Sequence, residues 1–233
     1  MIDILALLII AICVLAAFYR GAVFSLLSLG ATLLSIVLAL LLVVPVGRAF
    51  RKSEELYSSL LYYFEGNEYI NRTSVEMVRQ RAENTTAEEL DRLIFNGEVP
   101  MPIDKAIKHN VLRQSYASED VVLLGDYFNR SVVNSVIYIL TYLFLFVVFR
   151  IIFGFILRLR DFARGGFPLL KRFNAPFCCG LGFLEGVFFL FAAFMLAPVI
   201  LVVLPRISEV LDKSLLGRFF YQANLLLRIL PKV

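Results

Sequence analysis

The sequence predicts an all-α integral membrane protein: four transmembrane helices, a helical extramembrane insertion between helices two and three, and an amphipathic C-terminal tail. Three observations predict it. Of 233 residues, 60% are hydrophobic and 22 are Phe, with a mean hydropathy of +0.80, which is more apolar surface than one soluble core of this size needs. The apolar residues fall in long, almost wholly apolar runs at the N-terminus, from Ser131 and from Asn174 onward. Between them, residues 48–130 carry eleven basic and fourteen acidic residues, an aqueous composition. The segments that follow are 1–47, a transmembrane hairpin; 48–130, a hydrophilic helical insertion; 131–205, helices three and four with a basic loop; and 206–233, the tail.

An uncharged run of sixteen residues separates Asp3 from Arg20, and one of twenty-seven separates Arg20 from Arg48. At 1.5 Å per residue they reach roughly 24 and 40 Å, too long together for one span. Tyr19-Arg20-Gly21 interrupts the pattern with a charge and a glycine, which predicts a tight helical hairpin turning at one membrane face. No basic stretch precedes the first run and no small-residue cleavage site follows it, so this run is expected to stay in the protein.

In the insertion, Thr86-Ala-Glu-Glu89 is a capping-box pattern, Leu90, Leu93 and Ile94 form an apolar stripe, and Gly97 is a stop signal. A helix over Ala87 to Asn96 is predicted, with others near Asn71 to Arg81 and Asp104 to Tyr116. So little apolar material makes a marginal core unless the segment rests on the membrane or on a partner.

The third span starts at Ser131, holds Arg150 within it and ends at a short basic segment, Arg158, Arg160, Arg164, Lys171 and Arg172 against Asp161. Lysines and arginines in short loops mark the cytoplasmic side. Both termini and the insertion are then expected outside. Arg48, Arg51 and Lys52 oppose this but flank a long segment, where charge weighs less.

In the fourth span, Phe173 to Pro205, helical spacing puts Cys178, Gly182 and Gly186 on one stripe nearly free of side chains, against which another helix can pack closely. Enlarging Leu181, off the stripe, is expected to matter less than enlarging Gly182 or Gly186. Glu185 lies beside the stripe. A charge inside a span is costly unless it faces protein or water, and Arg150 and Glu185 lie at matching depth on consecutive helices. Three readings stay open: an ion pair fixing helix three to helix four, a polar lining for a solute or proton path, and snorkelling of Arg150 to the headgroups. Ile207 to Val233 alternates apolar and charged residues in a helical pattern, as expected of a tail that lies on the membrane surface or caps the bundle.

Catalytic signals are lacking. The chain has one His, His109, in the hydrophilic segment, and no P-loop, GxGxxG, HExxH or GxSxG pattern, so no enzyme class is indicated. Cys13, Cys178 and Cys179 form no spaced ligand set, so neither a metal nor another cofactor is expected. The net charge of +4 is spread over several segments without an aromatic-interleaved basic stripe, which argues against nucleic acid. Asn-x-Ser/Thr triplets begin at Asn71, Asn84 and Asn129 and carry meaning only in a glycosylating compartment.

Two blocks of this chain resemble the colicin V production protein family. One is the hairpin, with Asp3, Arg20-Gly21 and Leu26-Leu27-Ser28-Leu29-Gly30; the other is the fourth helix, with Asn174, Gly182 and Gly186. Ala175 stands where the family has Arg, Cys178 where it has the first glycine, and Ser25 where an acidic residue is usual. Ser214-Leu215-Leu216 also looks like a family feature, and residues 48–130 look like an insertion. The resemblance implies a four-helix protein of the bacterial inner membrane, tied to toxin production or export and to envelope function, and not an enzyme. The expected partners are the lipid bilayer and membrane or extracytoplasmic proteins. A second reading is a small channel or transporter subunit that forms a homo-oligomer through the glycine stripe.

Overall fold

Gly21 alone separates α1 (Ile2–Arg20) from α2 (Ala22–Arg51), with φ +84°, a left-handed conformation that costs glycine nothing and other residues strain. Ser25 Oγ locks the turn by donating to the carbonyls of Ala17 and Gly21 at 3.0 and 2.8 Å. In this computed structural model, residues 2–64, 66, 69–70, 76–159 and 174–230 are described. The chain is all-α, and among the described residues four helical stretches are long and apolar enough to cross a membrane: Ile2–Arg20, Ala22–Arg51, Leu124–Arg158 and Ala175–Val203. It is a multi-pass membrane protein.

Two units divide the chain. The first comprises Met1–Val43, Tyr142–Ala197 and Ile207–Leu226; the second comprises Val44–Thr141, Pro198–Arg206 and Leu227–Val233. The division falls inside α2 and inside α6 (Leu124–Leu159), rather than at the ends of the apolar runs.

In the second unit, α3 (Glu54–Tyr63), which the sequence pattern did not announce, precedes 3-10 turns at Glu76–Arg79 and Ala82–Asn84. The helix expected near Asn71 to Arg81 is therefore absent from its described part; residues 71–75 lie outside the described residues. Tertiary hydrogen bonding competes with a helix there: Arg81 forms an isolated antiparallel bridge with Leu123, Ala82 N donates to Val122 O at 2.9 Å, and Leu124 N donates to Gln80 O at 2.8 Å. α4 (Ala87–Asn96) and α5 (Ile103–Leu112) follow, α5 ending before Tyr116 because Gln114 turns left-handed at φ +49°. The core, including Ile70, Leu90, Leu93, Ile103, Ile107 and Val111, is completed by Leu124, Tyr127, Phe128 and Val132 of α6. So the small apolar content of this segment suffices, because a membrane-spanning helix lends it a face. That is also why α6 starts at Leu124 rather than Ser131. Its 36 residues reach about 54 Å, against roughly 30 Å of hydrocarbon.

At the start of α4, Thr86 Oγ1 accepts from Glu89 N at 3.3 Å, while Thr86 N donates to Glu89 Oε2 at 3.0 Å. These bonds favour the carboxylate and hold Glu89 below the usual carboxylate range. The stability they supply is present above that range and lost as pH falls through the lowered value. Asp104, at the start of α5, has the opposite sign: burial raises it, so acid relieves a cost. Wild type is expected to show an acid-side fall in amide exchange protection factors over Ala87–Asn96, and Glu89→Gln to remove it; an unchanged fall would refute the assignment.

The fourth span is not one helix. α7 (Asn174–Phe194) stops where Met195 and Leu196 donate back only three residues, at 3.2 and 3.1 Å, and α8 (Ala197–Val203) begins beside Pro198, which has no N–H to offer the Phe194 carbonyl. The tail is likewise α9 (Ile207–Asp212), α10 (Leu215–Gln222) and α11 (Leu225–Ile229). Phe220, buried on α10, packs with Ala6 of α1 and Leu190 of α7, with ring centroids 5.2 Å from Phe191 and 5.8 Å from Phe194. α10 thus covers helices of the first unit.

Candidate functional site

The polar positions of α2 fall on one face. Ser25, Ser28, Thr32 and Ser35 are spaced three, four and three apart, and all four are buried. Ser28 and Thr32 meet Arg150 of α6 and Glu185 of α7. Glu185 Oε1 accepts from Arg150 Nη2 at 2.7 Å, from Ser28 Oγ at 2.8 Å and from Thr32 Oγ1 at 3.2 Å, the Thr32 proton being shared with the Ser28 carbonyl oxygen at 3.0 Å. Arg150 Nη2 also donates to Ser28 Oγ at 2.9 Å. The guanidinium carbon sits 5.5 Å from the ring centroid of Phe189, one turn beyond Glu185, in cation–π range. Glu185 is 7% exposed, so the ion pair is shut away and depends on these donors.

Arg150 and Glu185, singled out for equal depth, are therefore brought together. Ser28 and Thr32 escaped notice as partners because a hydroxyl is unremarkable in a membrane helix. The signal that finds them is the three-four-three spacing, a polar stripe in an apolar helix.

The small-residue stripe of α7 faces α1. A Cβ on Gly182 would lie 2.7 Å from Ala17 Cβ and from the Cys13 carbonyl oxygen, and one on Gly186 would lie 3.1 Å from Ile10 Cα. Cys178 is buried on the same stripe. Leu181 is buried as well. Cys13, Cys178 and Cys179 are free thiols.

At the other end of α1, Asp3 Oδ1 accepts from Ser214 Oγ at 2.8 Å and from Leu216 N at 2.7 Å, while Ser214 Oγ accepts from Gly217 N at 2.9 Å. Asp3 thus closes over the first turn of α10, where unpaired N–H groups favour an anion. Asp3→Ala is expected to raise amide exchange across Leu215–Gln222 while leaving Ala87–Asn96 unchanged; equal protection in both proteins would show the tie to be idle.

Arg20 ends α1 with its guanidinium carbon 5.4 Å from the Phe24 ring centroid, and Arg158 lies in the last turn of α6. A cavity of about 280 Å³ reaches Arg150 and is lined by Arg20, Phe24, Gly154 and Arg158 among others. Asn174 opens α7, its side chain outside the described residues, as are Arg160, Arg164, Lys171 and Arg172. His109 lies half-buried in α5 of the second unit, without Cys, Asp or Glu neighbours able to form a metal cluster among the described residues.

Fold and site define a multi-pass, all-α membrane protein whose intramembrane charges are buried between helices. Residues 2–71 match the family model described as Colicin V production protein, the family that the sequence resembles. The match spans α1, α2 and α3, including Asp3, Arg20-Gly21, Ser28 and Thr32, and runs past Arg48 into the hydrophilic segment. Glu185, Arg150 and the glycine stripe lie beyond it. No curated protein and no solved structure matches the chain.

Proposed function

We propose that this is a non-enzymatic, polytopic protein of the bacterial inner membrane that supports toxin production or export, or envelope function, through protein partners. Its 48–130 segment is the contact surface, and that segment and both termini lie outside. The family match supports the setting, and the basic residues from Arg158 to Arg172 support the orientation. The observation that carries the reading is the closed arrangement at Glu185, where three donors converge on one oxygen of a buried carboxylate. Such an arrangement suits a clamp between helices better than a stepping stone for a moving ion. The cavity that reaches Arg150 favours a second reading, a small channel or transporter subunit that oligomerises through the glycine stripe.

Flux and complementation separate the two. Reconstituted in liposomes, the protein is expected to pass no ion or small osmolyte. In cells lacking it, Phe95→Ala, which alters an 82% exposed aromatic of the insertion, is expected to impair toxin release at an unchanged membrane level. Flux that disappears in Arg150→Met would overturn the first reading in favour of the second.

A further inference from the structure

The cavity beside Arg150 is more than the clamp requires. Arg150, Gly154 and Arg158 rise at four-residue intervals along one face of α6, and Arg20 and Phe24 close the cavity from the α1–α2 turn. Three guanidinium groups line it, and among the described residues no carboxylate does. Glu185 offsets Arg150 through their 2.7 Å contact, while neither Arg20 nor Arg158 pairs with a carboxylate of the described residues. Two positive charges therefore share one concave space without a counter-charge among the described residues, an arrangement that draws in an anion. Arg150 Nε is buried without an acceptor among the described residues.

The shape narrows the anion. Planar guanidinium forks suit oxyanions, and a tetrahedral phosphate, with more oxygens and up to two negative charges, serves several forks at once better than a carboxylate does. About 280 Å³ is near the lower end of ligand pockets, roughly 300–1,000 Å³, so it admits a phosphate with a small substituent. The cavity opens where α1 and α6 end, the level of lipid headgroups, where basic pockets between spanning helices take anionic headgroups.

We infer that this cavity binds a phosphate group, carried by an anionic phospholipid or present as the free ion. The inference is independent of which partners the protein has and of whether it conducts.

The test uses the full chain in a neutral detergent and reads Tm at matched ionic strength. Phosphatidylglycerol, phosphatidylcholine, inorganic phosphate and laurate, a carboxylate with a lipid tail, are added separately. A ligand at about a hundred times its Kd is expected to raise Tm by roughly 5–10 °C. A rise with phosphatidylglycerol alone assigns the site to lipid, and a rise with inorganic phosphate alone assigns it to the free ion; both rising assigns it to the shared group. In either case the rise should vanish in Arg20→Gln/Arg158→Gln. It should also vanish in Gly154→Leu, which keeps every charge but fills the space; a Cβ at Gly154 meets only the tip of Arg150 at 3.4 Å, so this variant should fold. No rise with either phosphate probe, an equal rise with laurate or phosphatidylcholine, or a rise that survives in a folded variant, would overturn the inference.

Discussion

Arg150→Met is expected to cost about 3–5 kcal/mol of stability in detergent, the scale for removing one member of a buried ion pair. It leaves Glu185, 7% exposed, with only the hydroxyls of Ser28 and Thr32. Glu185→Gln should cost less. The amide oxygen can still accept from those hydroxyls, and the stranded Arg150 faces a polar cavity rather than hydrocarbon. Combining the two should recover a large part of the loss, since neither charge is then left alone. A double-mutant cycle on denaturation in detergent measures this, and additive losses would reject the pair. Recovered stability with lost cellular function would mean that the charges also form a site, and would move weight to the channel or transporter reading.

Gly182→Leu is expected to be as damaging by a different route. The first added carbon would meet the Cys13 carbonyl oxygen at 2.7 Å and Val14 Cα at 2.8 Å, both backbone, so α1 must move and no side chain can yield instead. Gly186→Leu should be milder, with its nearest contact at 3.1 Å, and Gly180→Ala close to neutral, since nothing lies within 4 Å of that position. Folded yield in detergent orders the three. If Gly182→Leu matches wild type, the α1–α7 packing described above is wrong.

What the sequence determined by itself was whatever depends on neighbours along the chain. Long uncharged runs dictate spanning helices because unpaired backbone groups are intolerable in hydrocarbon. Gly21 marks the hairpin because only glycine adopts φ +84° without strain, and the Thr86–Glu89 box sets the start of α4 because both partners lie within one turn. The pairing of Arg150 with Glu185 was legible as far as depth along consecutive helices goes.

Rotation about each helix axis was not legible, and only the tertiary structure decided it. Each span is apolar nearly all round, so its pattern does not say which face meets which helix. The glycine stripe faces α1 rather than α6, and the pair at Glu185 gains Ser28 and Thr32 from α2 for this reason. Asp3 meets Ser214 and Leu216 from the far end of the chain, a contact no local pattern encodes. The turn at Met195–Leu196 and the 3-10 turns at Glu76–Arg79 and Ala82–Asn84 have the same origin: hydrogen bonds made elsewhere in the fold, or denied by Pro198, outweighed local helical preference.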